Sequence, residues 1–438
     1  MTSLALPQRP TLAKRTASTL AFSELRIPAI ASSADIFLAN DEEVLKAFES
    51  ISDIFKRYGF RDNRNKSRLH FLIEAVGMDE ISKAVRLNAG VDFDTAGETM
   101  TQIDYNDPDQ GKVQLRDGSF GVHVVVPSGI FTGSAMQEVA DLADKYGSGQ
   151  VRFDMEQSLY ILGVKDTNAM LDEEFFSKYK SVNSPYFNHL IACAGTEHCP
   201  FGVIENKNDA INMATYLDSA VPLESGRVRM YWSACVKGCG IHGLGDIGFE
   251  GCKAKVDGET VGAVTISLGG KLISEGEEGY TVIKSAPLLF AHKYVETLMI
   301  EYKNKRKDTE NMQMFSDRVF KQYTSANIGF IMKIDAYLRE KKIDVCIGFS
   351  EKVNTGKNEE FEVFELGRKL YYALTKKEAY SAYERFTNVL KNEKLENIRD
   401  LVPKIDENIA LLCEEILNTK EEKRAVVFSQ LTPLIELY

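Results

Sequence analysis

Four cysteines between Cys193 and Cys239 constrain the fold of this 438-residue chain more than any other feature. They form two short-range pairs, a C-x5-C pair at Cys193 and Cys199 and a C-x3-C pair at Cys235 and Cys239, separated by 35 residues. Thiolates bind metal when they are deprotonated and held close together. A fold that brings the two pairs together therefore predicts a tetrahedral sulfur site.

The spacing leaves several occupants of this site open. Zinc sites usually separate the cysteines of a pair by about two to four residues, which is shorter than the first pair here. An iron–sulfur cluster is larger than one ion and suits the wider loop. Disulfides are disfavoured, because the chain is neither small nor rich in cysteine. Spacing alone thus favours an iron–sulfur cluster, with zinc and ordinary buried thiols as the alternatives.

Composition indicates a globular protein with two or three cores, since the chain is 44% hydrophobic and 27% charged. Its net charge of −11 argues against nucleic acid as the main partner. No run approaches the roughly 18 apolar residues of a membrane span, and the first ten residues lack the apolar core of a signal peptide. We expect a cytoplasmic protein without a membrane partner, with an organellar transit peptide before Glu24 as the alternative.

Hydrophobic periodicity predicts a helix that begins near Asp41 and ends at Gly59. The residues that should form its buried face are Val44, Leu45, Phe48, Ile51, Ile54 and Phe55. A second helix is predicted over residues 65–75, and residues 85–117 have the glycines and prolines of a connector.

The next stretch predicts a strand, a helix and a further strand, which is half of a ferredoxin-like unit. GVHVVVPSGIF supplies the first strand, and residues 134–146 carry an apolar helical stripe. QVRFDMEQSLYILGV then predicts a strand pair or one long bent strand.

Around the cysteines the pattern is mixed. Residues 213–216 lie in a helical stretch, residues 228–232 form a strand that leads to Cys235, and a hairpin turns at Asp257 and Gly258. Beyond this region the periodicity is almost entirely helical. The isolated Cys346 and Cys413 are predicted to be buried thiols there.

At the cysteines the sequence resembles a known enzyme family. The two cysteine pairs, the continuation GCGIHGLGDIGFEG and the IENK after the first pair are similar to the sirohaem and 4Fe-4S enzymes that reduce sulfite and nitrite. The resemblance implies that four cysteines hold a cubane cluster and that the last one also bridges to the sirohaem iron. Carried over, the ligands are Cys193, Cys199, Cys235 and Cys239, with Cys239 as the bridge.

The resemblance extends to the ferredoxin-like half-domain. There the family has a helix similar to ADLADKYGSG before a strand of the form R-L-T-x-x-Q-N that faces the sirohaem. Arg152 and Gln157 keep their places in this chain, while Asp154 replaces Thr and Ser158 replaces Asn. Arg152 and Gln157 are therefore candidates for cofactor binding, with a polar pair at a sheet edge as the alternative.

Together these patterns predict an α+β fold in four parts. Residues 1–90 correspond to the helical remainder of a first sirohaem-enzyme module and residues 112–170 to a ferredoxin-like half-domain. Residues 180–335 correspond to a mixed α/β sirohaem and 4Fe-4S domain, and residues 336–438 to a helical bundle. The resemblance covers roughly residues 10–335, the end of the first half of such an enzyme and its whole second half.

An anionic substrate beside an electron-rich haem needs fixed cations. Lys207 is the candidate for this catalytic role, because it lies in IENK where the family has ETK. Further candidate cations are Arg152, Arg229 and Lys237, and each has a surface position as its alternative. Two histidines near the cysteines, His198 and His242, are candidates for hydrogen bonds that tune a cluster.

The resemblance implies six-electron reduction of sulfite to sulfide or of nitrite to ammonia. A ferredoxin-like donor is expected because no flavin or nicotinamide fingerprint is visible. The family's first ferredoxin-like half has no counterpart in the chain, so we expect a shortened version of a longer enzyme. The alternatives are a second polypeptide that completes the site, a cofactor-binding electron-relay subunit without full catalysis, and a zinc-stabilised binding protein.

Overall fold

A computed structural model provides the coordinates. It describes residues 4–5, 18–22, 32–63, 66–95, 111–154, 156–178, 184–272, 277–343, 346–349, 359–377, 379, 397–403 and 405–418. These residues divide into two units. The first contains the described residues before Pro108, together with Lys237–Cys239 and those of 271–278, and the second contains the others.

The first unit combines an antiparallel sheet with three helices. Its strands are β1 (Leu4–Ala5), β2 (Ser18–Phe22) and β3 (Ser32–Leu38), in the order β1-β2-β3. Its helices are α1 (Asp41–Tyr58), α2 (Leu69–Val76) and α3 (Met78–Ala89). Side chains from β3 and all three helices form one apolar core.

Helix α1 begins and ends where the sequence predicts. The Asn40 side chain accepts a hydrogen bond of 3.0 Å from Glu43 N, which caps the first turn, and Gly59 follows the last turn. The predicted buried face is partly wrong, because Leu45 and Phe48 are 56% and 52% exposed. The buried positions of the helix are Ala47, Ser50, Ile51 and Ile54.

The segments after α1 differ from the predictions in their bounds. Helix α2 begins four residues later than predicted, at Leu69. Helix α3 continues to Ala89, so the predicted connector is wrong over residues 85–89. Residues 96–110 of that connector lie outside the described residues.

The second unit begins with an antiparallel sheet of four strands, in the order β4-β5-β7-β6. The strands are β4 (Lys112–Gln114), β5 (Phe120–Val124), β6 (Val151–Phe153) and β7 (Leu159–Val164). Helix α4 (Gly133–Tyr146) packs its apolar side on β7, and the short helices α5 (Thr167–Leu171) and α6 (Glu174–Lys178) follow. The predicted order of strand, helix and strand pair is confirmed.

A mixed sheet of five strands forms the centre of the second unit, in the order β12-β11-β10-β9-β8. The strands are β8 (Leu190–Ala192), β9 (Met230–Ser233), β10 (Ile247–Val256), β11 (Glu259–Leu268) and β12 (Tyr280–Pro287). β8, β9 and β10 pair in parallel, whereas β10, β11 and β12 are antiparallel. The hairpin between β10 and β11 turns at Asp257 and Gly258, as predicted.

Helices surround this sheet and complete its core. They are α7 (Gly195–His198), α8 (Lys207–Ala220), α9 (Leu288–Lys305), α10 (Met312–Arg318), α11 (Ser325–Glu340), α12 (Glu359–Thr375), α13 (Ile398–Leu401) and α14 (Glu407–Asn418). Side chains from the sheet and from α8, α9, α11, α12 and α14 form one continuous core. The chain is therefore α+β with a helical C-terminal region, as predicted.

The two isolated C-terminal cysteines have different environments. Cys413 is fully buried, as predicted. Cys346 is exposed, so its predicted burial is wrong, because Ile347 and Phe349 take the buried positions of that segment. Among the described residues, no helix has the length and apolar composition to cross a membrane.

Candidate functional site

Parallel strands β8 and β9 bring two of the predicted cysteines to one edge of the five-stranded sheet. Cys193 directly follows β8, and Cys235 lies two residues beyond the end of β9. Ala192 pairs with Trp232, and Cys193 N extends the pairing with a hydrogen bond of 3.1 Å to Trp232 O. Because neighbouring parallel strands end at the same edge of a sheet, the two cysteine loops begin side by side.

The first cysteine loop, residues 193–206, is closed by backbone contacts. Helix α7 ends at Cys199, whose N–H donates to Gly195 O at 2.9 Å. Gly195 has a φ of +71°, and a Cβ there would overlap the carbonyl group of Glu205. Only glycine fits this position. Cys193 and Cys199 are both half-buried and free of disulfides.

The sulfur of Cys193 faces two N–H donors. Ala234 N lies 3.1 Å from Cys193 Sγ, and Asn206 Nδ2 lies 3.4 Å from it. The same Asn206 nitrogen also lies 2.9 Å from Cys193 O and 3.2 Å from Trp232 O. N–H groups that donate to a thiolate stabilise its negative charge.

The backbone of Ala192, immediately before Cys193, is held by two side chains. Gln157 Oε1 accepts from Ala192 N at 3.0 Å, and Gln157 Nε2 donates to Ala192 O at 3.1 Å. Lys207 Nζ donates to the same carbonyl oxygen at 3.1 Å and also to Ser128 O. Burial lowers the pKa of Lys207, and the nearby Cys193 opposes this effect. Gln157, which was predicted to bind the cofactor, and Lys207, which was predicted to bind the substrate, thus both contact the residue before the first cysteine.

The residues that follow the second cysteine pair, Gly240 and His242, contact the end of β9. Ser233 Oγ accepts from Gly240 N at 3.0 Å and lies 2.9 Å from His242 Nδ1. His242 Nε2 lies 3.2 Å from the Glu250 carboxylate. A Cβ at Gly240 would overlap Trp232 O, so the chain after the loop returns directly against β9.

A cluster of buried charges lies at the opposite, amino ends of the same strands. His189, Arg229 and Asp246 directly precede β8, β9 and β10 and are nearly fully buried. The carboxylate of Glu156 lies 2.5 Å from His189 Nδ1 and 3.9 Å from Arg229 Nε, and it accepts from the Tyr231 hydroxyl. Asp246 Oδ2 accepts from Arg229 N at 2.8 Å. Burial raises the pKa of Asp246, and Arg229 opposes this effect.

The remaining predicted cations and histidines have varied environments. Arg152 is exposed on β6, and Lys237 is exposed in the second cysteine loop. Arg229 belongs to the buried-charge cluster and is 1% exposed, so its prediction as a substrate cation is wrong. His198 is exposed, and its Nε2 lies 3.9 Å from Glu197. His242 contacts Ser233 and Glu250, as described above.

A pocket of about 330 Å³ opens beside the turn between β6 and β7 that carries Gln157. Its walls include the apolar Phe131, Met136 and Phe153 and the polar Asp154, Gln157 and Lys207. Asp154, which replaces the family's Thr, accepts from Glu156 N and Ser158 N at 2.8 Å and lies 2.9 Å from His123 Nε2. Its carboxylate therefore stabilises the turn before β7.

The cysteine spacing leaves two metal groups open, a single zinc ion and an iron–sulfur cluster, and the side chains near the cysteines can be compared with the needs of each. Within the described ranges, no three His, Cys, Asp or Glu side chains are arranged around a single metal ion. A cubane cluster is wider than one ion, and its sulfur ligands accept hydrogen bonds. The half-buried Cys193 thiol with its two N–H donors fits such a cluster. Of the four predicted ligands, Cys193, Cys199 and Cys235 belong to the second unit and Cys239 to the first.

Sequence analysis missed both the sulfur donor Asn206 and the buried-charge cluster. Asn206 lies in IENK directly before Lys207, and no local pattern marks it as a donor to sulfur. The cluster had no such signal, because its contacts join residues 33 and 75 positions apart.

Two family models match the chain. The nitrite/sulfite reductase ferredoxin-like half domain matches residues 113–170. The nitrite and sulphite reductase 4Fe-4S domain matches residues 23–93, a stretch without cysteine. The four-cysteine stretch thus lies outside both matched segments.

Known relatives and a solved structure are similar over larger parts of the chain. A ferredoxin–nitrite reductase of Synechococcus elongatus is 32% identical over 254 residues, which are 57% of this chain and 49% of that protein. An assimilatory ferredoxin-dependent nitrite reductase of Haloferax mediterranei is 30% identical over 266 residues and is covered to 45%. The chain spans about half the length of these curated relatives. The structure of Mycobacterium tuberculosis NirA protein is 21% identical and has a TM-score of 0.57. The match covers 69% of this chain and 57% of that chain, and it shows a shared fold.

Proposed function

We propose that the chain belongs to the nitrite and sulfite reductase family, whose domains imply a 4Fe-4S cluster and a sirohaem, and that it reduces nitrite to ammonia with electrons from ferredoxin. Relatives named ferredoxin–nitrite reductase support nitrite over sulfite as the substrate. The chain covers only about half of the length of these relatives. That this chain is active by itself is therefore also a proposal.

The residues that would hold the cluster are Cys193, Cys199, Cys235 and Cys239, and the sequence resemblance implies that Cys239 would also link it to the sirohaem. The observation that carries the proposal is the Cys193 thiol, which lies at the end of a parallel strand with two N–H donors on its sulfur. When bound, the two cofactors supply the electron-transfer chemistry of the six-electron reduction.

The chain's own residues hold the first ligand and attract the anion. Gln157 and Lys207 hold the backbone of Ala192, which orients Cys193. The Lys207 ammonium has three N–H groups and makes two hydrogen bonds to carbonyl oxygens, so the third can donate to an anion in the pocket. Arg152 presents an exposed guanidinium group that suits a sirohaem carboxylate.

Absorption spectra, iron analysis and turnover of the full chain test this function. We expect sirohaem bands, four irons per chain in the cluster, and reduction of nitrite by reduced viologen that is faster than reduction of sulfite. A chain with zinc and no iron would overturn the proposal. A loaded chain that reduces neither anion would indicate an electron-relay subunit instead.

The substitution Lys207→Met tests the role of the proposed substrate cation. Loss of a charged hydrogen bond costs roughly 1.5–3 kcal/mol, so we expect KM for nitrite to rise about tenfold or more. Lys165→Met is the matched control, because Lys165 is exposed and lies outside the pocket. An unchanged KM in a loaded Lys207→Met protein would remove Lys207 from substrate binding.

A further inference from the structure

Of the two N–H donors at the sulfur of the first cysteine, one comes from the Asn206 side chain. Asn206 is fully buried and directly precedes α8. Its backbone N–H donates to Asp209 Oδ2 at 2.8 Å, which holds the residue at a φ of +66°. With a ψ of −61°, this backbone conformation lies outside the left-handed helical region and is uncommon for residues other than glycine.

The orientation of the Asn206 amide follows from its neighbours. Two backbone carbonyl oxygens, of Cys193 and Trp232, lie 2.9 Å and 3.2 Å from one end of the amide. Carbonyl oxygens only accept hydrogen bonds, so the atom that faces them is the nitrogen. The same nitrogen lies 3.4 Å from Cys193 Sγ. Its two N–H groups face three acceptors, so one N–H is shared between a carbonyl oxygen and the sulfur.

A hydrogen bond to a ligand sulfur affects the two redox states of a cluster unequally. The reduced cluster carries one more negative charge than the oxidised cluster, and its sulfur ligands share that charge. An N–H donor therefore stabilises the reduced state more, and hydrogen bonds to the sulfurs are among the factors that set cluster potentials. Ala234 N supplies a second donor from the backbone, which side-chain substitution does not remove.

On the premise of the proposed function, we infer that the Asn206 amide raises the reduction potential of the cluster through its hydrogen bond to Cys193 Sγ. Asn206 is thus a positioning and tuning residue.

A redox titration of the full, loaded chain, monitored by electron paramagnetic resonance, tests the inference. Asn206→Gly removes the amide and tolerates the positive φ. We expect the ratio of reduced to oxidised cluster at a fixed potential to fall three- to tenfold, and a tenfold fall corresponds to about 59 mV for a one-electron couple. The matched control is Asn208→Gly, because the exposed Asn208 amide lies 3.4 Å from Glu205 Oε2, away from the sulfur.

The outcomes separate this inference from the proposed function. A wild-type chain without iron overturns both, whereas a loaded Asn206→Gly protein with the wild-type potential overturns the inference alone. An equal shift in Asn208→Gly also overturns it. If Asn206→Gly retains no cluster, pulsed resonance on the unchanged chain with ¹⁵N in its asparagine amides decides. A ¹⁵N coupling to the reduced cluster supports the inference, and its absence overturns it.

Discussion

The two ends of the parallel strands β8, β9 and β10 are built in different ways. At the carboxyl ends, the chain beside the cysteines is held by close backbone approach at Gly195 and Gly240, by the Ser233 hydroxyl group, and by hydrogen bonds of Gln157 and Lys207 to Ala192. At the amino ends, the strands are held by the buried-charge cluster around Glu156 and Arg229.

This difference separates two tasks within one sheet. A buried charge cluster is costly to desolvate and strongly destabilising when one partner is removed, so it suits an anchor that stays unchanged. Thiolates that bind a redox group need donors near their sulfurs, which Ala234 N and the Asn206 amide supply to Cys193. We therefore expect substitutions that add atoms to destabilise the carboxyl ends of these strands, and substitutions that remove a charge to destabilise their amino ends.

The largest effect is expected from a methyl group at the carboxyl ends. In Gly195→Ala the Cβ would overlap the Glu205 carbonyl, so the first cysteine loop cannot close. We expect a loss of about 5 kcal/mol or more in the free energy of unfolding, together with loss of iron. Urea denaturation and iron analysis measure both quantities.

Gly258→Ala provides the control for Gly195→Ala. Gly258 has a φ of +83°, close to the +71° of Gly195, but a Cβ there meets no atom within 4 Å. The control should cost only about 1–2 kcal/mol and retain iron. Equal losses in both variants would show that backbone conformation, rather than close approach, governs the cysteine loop.

Removal of the central carboxylate tests the amino ends. Glu156→Ala removes one carboxylate neighbour of Arg229 and the carboxylate that His189 and Tyr231 contact. We expect a loss of roughly 3–5 kcal/mol in the free energy of unfolding. The control Glu80→Ala removes an exposed partner of Lys83 and should leave the denaturation midpoint unchanged. A loss confined to iron binding would contradict an anchoring role for Glu156.

A smaller effect is expected at Gln157, which contacts the backbone before Cys193. Gln157→Leu leaves Ala192 N without its acceptor and should cost about 1–3 kcal/mol. Because Ala192 orients Cys193, the iron content should also fall. The matched control is Gln137→Leu on α4, where the exposed amide donates to Asp141 Oδ1 at 2.9 Å. Full iron content in Gln157→Leu would mean that Lys207 alone suffices to hold Ala192.

The smallest expected effect is a pH dependence confined to the amino ends. Burial raises the pKa of Asp246 above 3.8, so the folded chain binds this proton more tightly than the unfolded chain. The contribution of Asp246 to stability is then fully present below pH 3.8 and decreases as pH rises through the raised pKa. Relative to Asp246→Asn, the wild type should lose at most about 1.4 kcal/mol per pH unit in that range. Parallel stability curves for the two proteins would contradict the raised pKa.

Local signals in the sequence predicted the features that depend on neighbouring residues. The end of α1 at Gly59, the hairpin at Asp257 and the strand that leads to Cys235 follow from caps, turns and periodicity. The exposure of Leu45 and Phe48 could not be predicted, because an apolar stripe on a helix does not specify how much of it another element covers. The charge cluster could not be predicted either, since ion pairs across the sheet depend on strand order.

The four cysteines could be recognised in the sequence because metal binding restricts residue type and spacing. The side chains that support them were harder to recognise. Gln157 was predicted to contact a cofactor, yet both ends of its amide contact the Ala192 backbone. A polar side chain in a motif can therefore support a ligand through the backbone, and sequence alone does not separate that role from direct binding.

Trp232 is the only tryptophan of the chain, and it is fully buried with its ring 3.9 Å from that of Phe249. Its carbonyl oxygen accepts from Cys193 N, and Cys235 follows three residues later. All indole fluorescence of the protein therefore originates beside the cysteine loops. Iron–sulfur clusters and tetrapyrroles absorb at the wavelengths where indole emits, so resonance energy transfer makes the emission intensity a label-free signal for loading of the site.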